Sequence, residues 1–159
     1  MNKQNFYDLN FDQLRNFLIE KGEIEDKKAK MRAQQMFNAV YKKNIKNFDE
    51  LTTFGLELRE KIKNLISLEK PKIIDIQKSK DGTIKFLLEL KDKRNVETVL
   101  IPDKSQSRYT ICLSVSVGCY LSCEFCATAQ ISKKLVRNLT PGEIISQIIL
   151  SKDYIDDWS

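Results

Sequence analysis

The sequence predicts an α+β chain with helices first, a small sheet next and a β/α unit last, and three observations predict this order. Apolar residues recur at helical spacing up to about residue 70, and after Pro71 they alternate as in strands. A strand over 109–117 then leads through a cysteine-rich loop into a capped helix. We therefore divide the chain into a helical accessory domain over 1–70, a β extension over 71–108 and a β/α unit over 109–159.

Three short amphipathic helices are predicted in the accessory domain. The first covers residues 10–21 and ends before Gly22, a natural C-cap position. The second covers 27–43, and the third covers about 49–67 with an interruption at Gly55. Their core positions are Leu14, Phe17, Leu18, Ala29, Ala33, Met36, Phe37, Val40, Tyr41, Leu51, Leu58, Ile62 and Leu65.

The polar faces of these helices are rich in lysine. Such faces fit either contacts to a phosphate backbone or an ordinary solvated surface. The lysines concerned are Lys27, Lys28, Lys30, Lys42, Lys43 and Lys46. The formal net charge of +5 is carried by the first two thirds of the chain, so an anionic partner such as RNA is plausible there.

The β extension is predicted from its turns. Residues 72–79 and 83–91 flank Asp81-Gly82, which is a strong hairpin signal. Residues 96–101 predict a third strand that stops at Pro102.

The last helix is predicted from its cap. Thr140 as N-cap, Pro141 at the first helical position and Glu143 two residues later form a capping box. Its expected buried stripe consists of Ile144, Ile145, Ile148 and Ile149. Together with the preceding strand it makes a β/α unit, whose loop lies where α/β barrels keep their chemistry.

The composition of the chain excludes several kinds of catalytic and metal site. With 159 residues, 42% of them hydrophobic and 31% charged, the chain has globular composition. The absence of histidine from the sequence excludes Cys-His nucleophiles, histidine zinc sites and imidazole bases. We see neither a membrane-spanning run nor a signal peptide, so we expect a cytoplasmic protein whose cysteines are ligands or redox groups rather than disulfides.

Three of the four cysteines lie within residues 117–126. Cys119, Cys123 and Cys126 are separated by three and two residues, so their thiolates can converge on one inorganic centre without long-range folding. A polynuclear iron–sulfur cluster fits this spacing best, and a cubane held by three thiolates leaves one iron open to a small molecule.

This cysteine spacing, with Phe125 before the last thiol, resembles the radical S-adenosylmethionine (SAM) superfamily. The segments DGTIKFLLEL, VETVLIP, RYTICLSVSVGC and VRNLTPGEIISQ resemble its RlmN branch, which methylates carbon 2 of adenine in 23S rRNA and in some tRNAs. The resemblance implies an accessory domain that helps hold RNA, a β extension and the start of a radical SAM (TIM-like) barrel. It also implies two SAM molecules, one methylating a cysteine and the other generating the radical that activates this methyl group.

The resemblance assigns roles to individual residues. Cys119, Cys123 and Cys126 match the ligands of a 4Fe-4S cluster, and Phe125 matches an aromatic residue near the SAM adenine. Glu97 matches the proton acceptor. From the residues alone, Glu97 fits either a partly buried carboxylate suited to proton transfer or an exposed charge on an edge strand.

Partners follow from the same resemblance: 23S rRNA and some tRNAs, an electron donor such as a flavodoxin, and no membrane, in a monomer. Lys133, Lys134 and Arg137 fit either phosphate contacts or an exposed basic turn. The sequence stops before the family's glycine-rich SAM-binding strand and its methyl-carrying cysteine. We therefore interpret it as the N-terminal portion of such an enzyme, with an incomplete barrel, and do not expect it to be active alone.

The cysteines leave other interpretations open. Cys112 alternates with Ile111 and Leu113 in a predicted strand, which favours a buried small hydrophobe. If Cys112 instead reached the loop, four cysteines would suit a structural zinc site. Cys123 and Cys126 also fit a thioredoxin-like redox pair, and the helices and sheet fit a non-catalytic RNA-binding module.

Overall fold

The structure is a computed structural model that describes residues 3–103, 105, 108–119, 123–124 and 136–156. Its helices are α1 (Phe11–Glu20), α2 (Asp26–Tyr41), α3 (Leu56–Leu65) and α4 (Pro141–Ile155), with 3₁₀ turns at Phe6–Asp8 and Phe48–Glu50. Its strands are β1 (Gln4–Asn5), β2 (Ile66–Ser67), β3 (Lys72–Lys78), β4 (Ile84–Glu89), β5 (Asn95–Asp103), β6 (Arg108–Cys112), β7 (Ser116–Val117) and β8 (Arg137–Asn138). Helices and sheets therefore confirm the α+β class.

The chain divides into two compact units. One takes in the chain up to Glu69, and the other runs from Lys70 to Ile155. The predicted β extension and the predicted β/α unit thus lie in one compact unit, at least as far as Ile155.

The first unit contains the three predicted helices. The buried side chains of α1 and α2 include Leu14, Leu18 and Met36, as the helical spacing predicts. The third predicted run is divided, because Gly55 takes the extended N-cap conformation and α3 begins only after it. As predicted, α1 ends before Gly22, and the left-handed residue that follows the helix is Glu23, with φ 54°.

A short parallel pairing of β1 with β2 was not predicted. It joins Gln4 to Ile66 and Asn5 to Ser67. Two-residue strands carry no periodic signal, so sequence alone could not reveal this pairing.

The second unit is built on an antiparallel sheet of order β3-β4-β5-β6. The predicted hairpin is confirmed, and Gly82 adopts φ 95° in its turn. The third strand continues past Pro102 to Asp103, further than predicted. Pro102 is tolerated because β4 pairs with β5 only as far as Leu100, which leaves the proline paired with β6 alone.

The single strand predicted over 109–117 is divided into β6 and β7. β6 pairs with β5, whereas β7 pairs antiparallel with β8. Between them, the backbone N–H and C=O of Ser114 bond to the side chain of Gln147 instead of to a neighbouring strand. Among the described residues the strands of this unit pair antiparallel, so the beginning of a parallel barrel stays a prediction.

α4 packs against the sheet through a face that differs from the predicted one. Thr140 and Glu143 form the predicted capping box, with Glu143 N 3.2 Å from Thr140 Oγ1 and Thr140 N 2.9 Å from Glu143 Oε2. The predicted isoleucine stripe is wrong in part, because Ile148 is 37% exposed and among its four members only Ile149 is fully buried. The buried polar residues of this helix are Ser146, Gln147 and Ser151.

Candidate functional site

The cysteine-containing loop is closed at its base by backbone hydrogen bonds. In the pairing of β7 with β8, Ser116 is opposite Asn138 and Val117 is opposite Arg137. Val136 N donates to Val117 O at 2.8 Å, which extends this ribbon by one residue. The loop starts at Gly118, whose φ of 78° favours glycine. The two ends of the loop are therefore adjacent.

The thiols of Cys119 and Cys123 are both half-buried. The third predicted ligand, Cys126, lies outside the described residues, as do Phe125, Lys133 and Lys134. Within the described ranges no three His, Cys, Asp or Glu side chains form a group that could hold a metal. Two half-buried thiols on one closed loop nevertheless fit an iron–sulfur group, since thiolate sulfur is its usual ligand.

A buried glutamine fastens the segment that enters this loop. Gln147 Oε1 accepts from Thr98 Oγ1 at 2.7 Å and from Ser114 N at 3.0 Å. Its Nε2 donates to Ser114 O at 2.9 Å and to Glu143 O at 3.2 Å. Gln147 thereby connects β5, the entry to the loop and α4. Sequence analysis missed this residue, although a polar side chain inside an isoleucine-rich helix was a usable signal.

An arginine fastens the segment that leaves the loop. Arg137 donates to both carboxylate oxygens of Glu143 at 2.7 Å, and its Nε donates to Asp92 at 2.9 Å. The predicted phosphate contact for Arg137 is wrong in this structure, because two carboxylates of the same chain already occupy its guanidinium. The hydrogen bond to Glu143, followed by that to Asp92, raises the pKa of Arg137.

Glu97 lies on the outer face of β5. Its carboxylate forms an ion pair with Lys85 at 2.9 Å, and its side chain is 50% exposed. β6 pairs with β5 only from Val99 onward, so among the described strands Glu97 is paired on one side only, through Leu87 of β4. Its exposed side chain favours the interpretation as an exposed charge over that as a partly buried carboxylate. Ser114 Oγ donates to the carbonyl oxygen of Glu97 at 2.7 Å, which joins this residue to the entry of the loop.

Cys112 is exposed, which corrects the prediction of a buried small hydrophobe. In β6 its neighbour Ile111 packs against the buried cluster that contains Phe86 and Leu100. Successive residues of a strand point to opposite faces, so Cys112 lies on the outer face of the sheet.

The six lysines of the helical unit for which phosphate contacts were considered are all exposed. They are Lys27, Lys28, Lys30, Lys42, Lys43 and Lys46. Lys28 forms an ion pair with Glu25 at 3.0 Å. In the part of the chain that the structure describes, no helix has the length and apolar character needed to cross a bilayer.

Residues 4–68 match the model of the ribosomal RNA large subunit methyltransferase N-terminal domain. The dual-specificity RNA methyltransferase RlmN of Ruegeria sp. is 38% identical over 98% of this chain and 38% of its own length. The protein of the same name from Oleidesulfovibrio alaskensis is 41% identical over 94% of this chain and 40% of its own length. A crystal structure of a radical SAM methyltransferase from Sphaerobacter thermophilus has a TM-score of 0.80 and 30% identity, over 96% of this chain and 42% of that one.

The chain thus spans about two fifths of the length of these relatives. The matched domain covers the helical unit, and the relatives match nearly the whole chain, including the cysteine loop and β5. The helical unit thus matches the N-terminal domain of ribosomal RNA large subunit methyltransferases, and nearly the whole chain is similar to proteins named RlmN.

Proposed function

We propose that this chain supplies the RNA-binding and cluster-binding parts of a radical SAM enzyme that methylates carbon 2 of adenine in 23S rRNA and in some tRNAs. The relatives described above are named dual-specificity RNA methyltransferases. The observation that carries the proposal is the closed cysteine loop, whose entry is hydrogen-bonded to the residue that matches the family's proton acceptor. In the whole enzyme this unit would begin the TIM-like barrel.

Each part of the site has a proposed task. Cys119, Cys123 and Cys126 would hold a 4Fe-4S cluster, and Phe125 would lie near the SAM adenine. When bound, the cluster supplies the electron that cleaves the sulfonium of SAM. Glu97 would take a proton from the adenine ring, and its position on an exposed sheet face leaves it accessible to a base.

RNA would be held by the lysines of the helical unit through their phosphate contacts. The proposed setting is a monomer in the cytoplasm, where rRNA and tRNA occur, with a flavodoxin or similar protein as electron donor. The division into three segments, 1–70, 71–108 and 109–159, remains a prediction about how the enzyme is organised.

Anaerobic reconstitution tests the cluster. We expect the chain to bind iron and acid-labile sulfide and to lose both in Cys119→Ala. Cys112→Ala is the matched control, because Cys112 is exposed on β6 outside the loop and its loss should change neither content. Zinc without sulfide would contradict the proposal and favour a zinc-binding module, and unchanged iron in Cys119→Ala would contradict the proposed ligand set.

Gel shifts with 23S rRNA fragments test the RNA-binding task. Changing Lys42 and Lys43 to glutamate should weaken binding and reduce the slope of log K against log salt by about 1 for each lost phosphate contact. The control is the double variant Lys80→Glu, Lys91→Glu, which changes the net charge by the same amount in the hairpin turns of the other unit. Equal losses in the two double variants would mean that net charge, not the helical surface, drives binding.

A further inference from the structure

The side chain of Gln147 takes the place of a neighbouring strand. Between β6 and β7, the N–H and C=O of Ser114 pair with the amide of Gln147 as they would pair with a peptide group. The amide oxygen accepts two hydrogen bonds and the amide nitrogen donates two, so its hydrogen-bonding capacity is filled. Gln147 is 0% exposed and Thr98 is 1% exposed, so water cannot substitute for these partners.

The same amide reaches the strand that carries Glu97. Thr98 follows Glu97 in β5 and points into the unit, where its hydroxyl donates to Gln147. The carbonyl oxygen of Glu97 accepts a hydrogen bond from the Ser114 hydroxyl. The entry to the cysteine loop is therefore tied to two consecutive residues of β5, once directly and once through Gln147.

We propose that Gln147 is a positioning residue, which holds the entry of the cysteine loop at a fixed place relative to the strand of Glu97. That the position of the loop entry matters for catalysis rests on the proposed function. The anchoring itself depends only on the hydrogen bonds described. The side chain of Gln147 bonds to Thr98, Ser114 and Glu143 and to neither of the described thiols, so it acts through Ser114 and Thr98.

Hydrogen exchange on the reduced, cluster-free chain tests the anchor. In Gln147→Met, which keeps the length of the side chain and removes its amide, we expect the Ser114 amide to exchange about tenfold faster, since the loss of one buried hydrogen bond corresponds to a change of roughly that size. Ser151→Ala is the matched control: it removes a buried hydrogen bond to the carbonyl of Gln147 on the same helix and leaves Ser114 untouched. Peptides from α2 should exchange equally in all three proteins.

If Gln147→Met does not fold, Thr98→Val replaces it. Valine matches the shape of threonine and removes the hydroxyl that orients the amide oxygen, so Ser114 should exchange several-fold faster than in Ser151→Ala. Exchange at Ser114 equal to that of Ser151→Ala in the folded variant would overturn the proposal. So would acceleration of equal size in α2, because it would mean a general loss of stability.

The reconstituted chain provides the second readout. The electron paramagnetic resonance spectrum of the reduced cluster should broaden in the Gln147 variant and remain sharp in Ser151→Ala, because a released loop entry samples several positions. An unchanged spectrum together with faster exchange would overturn the positioning role. Failure of the unsubstituted chain to bind iron and sulfide would instead contradict the proposed function. The exchange result would still test the anchoring by Gln147, because it is measured on the cluster-free chain.

Discussion

The guanidinium of Arg137 and the carboxylate of Glu143 meet in a two-point contact, with both nitrogen–oxygen distances at 2.7 Å. Burial alone would raise the pKa of Glu143, but the hydrogen bonds from Arg137 and from the Thr140 amide hold it below the ordinary value. The hydrogen bond from Arg137 likewise lowers the pKa of Asp92. The exit of the cysteine loop is thus held by two carboxylates that must be ionised.

Acid should release this contact. The folded-state pKa of Glu143 lies below the ordinary 4.5, so its contribution is complete above about pH 4.5 and is lost as the pH falls through the folded value. We expect Glu143→Gln to lower the free energy of unfolding at neutral pH by about 1–3 kcal/mol. At pH values well below 4.5, the free energies of unfolding of the variant and of the original chain should become equal. Urea unfolding at several pH values measures this.

Glu60→Gln is the control for that experiment. Glu60 pairs with Lys63 on the surface with 63% of its side chain exposed, so its loss should cost ~0–1 kcal/mol. A Glu143→Gln effect no larger than this, or one that persists unchanged in acid, would contradict the prediction.

Substitution by alanine should have different effects on the free energy of unfolding at two buried serines of α4. The hydroxyl of Ser146 is buried without a hydrogen-bond partner among the described residues, so Ser146→Ala should leave the free energy of unfolding unchanged or raise it by about 1 kcal/mol. The hydroxyl of Ser151 donates to the carbonyl of Gln147 at 2.9 Å, so Ser151→Ala should lower it by about 1 kcal/mol. Chemical denaturation of both variants measures the difference, and equal effects would refute the expectation.

The hairpin between β3 and β4 should depend on Gly82. Its φ of 95° is unfavourable for a side chain, and a Cβ atom there would lie 3.2 Å from Pro102. Gly82→Ala should therefore lower the free energy of unfolding by roughly 1–2 kcal/mol. Lys80→Ala in the same exposed turn should have little effect, and a thermal shift as large as that of Gly82→Ala would show that the turn is merely sensitive to any change.

The ion pair of Glu97 with Lys85 should contribute little to stability. With 50% and 37% of the two side chains exposed, solvent screens the pair, and Glu97→Gln should cost about 0–1 kcal/mol. The urea midpoint is the measurement. If Glu97→Gln lowers the free energy of unfolding only slightly, the variant can be used to test proton transfer by Glu97 without unfolding the chain. A loss of several kcal/mol would assign the carboxylate a structural role.

The helices and the hairpin were predictable because their signals are local. The spacing of Leu14 and Leu18 and the Asp81-Gly82 turn specify structure within a few residues. The cysteine spacing is local too. What sequence could not supply were the partners of Ser114 and Arg137, which come from β5, α4 and the turn after β4. Cys112 was misplaced because the side of the sheet that α4 covers is a long-range property.

Two consecutive residues of β5 need opposite environments, since the carboxylate of Glu97 faces outward and the hydroxyl of Thr98 faces the interior. A single-residue insertion or deletion that shifts this strand against β4 would exchange their faces, burying a carboxylate and moving the hydroxyl into solvent. Variation in length should therefore be confined to the turns of this sheet. Any homologue that lengthens the strand itself must restore the alternation with a compensating bulge nearby.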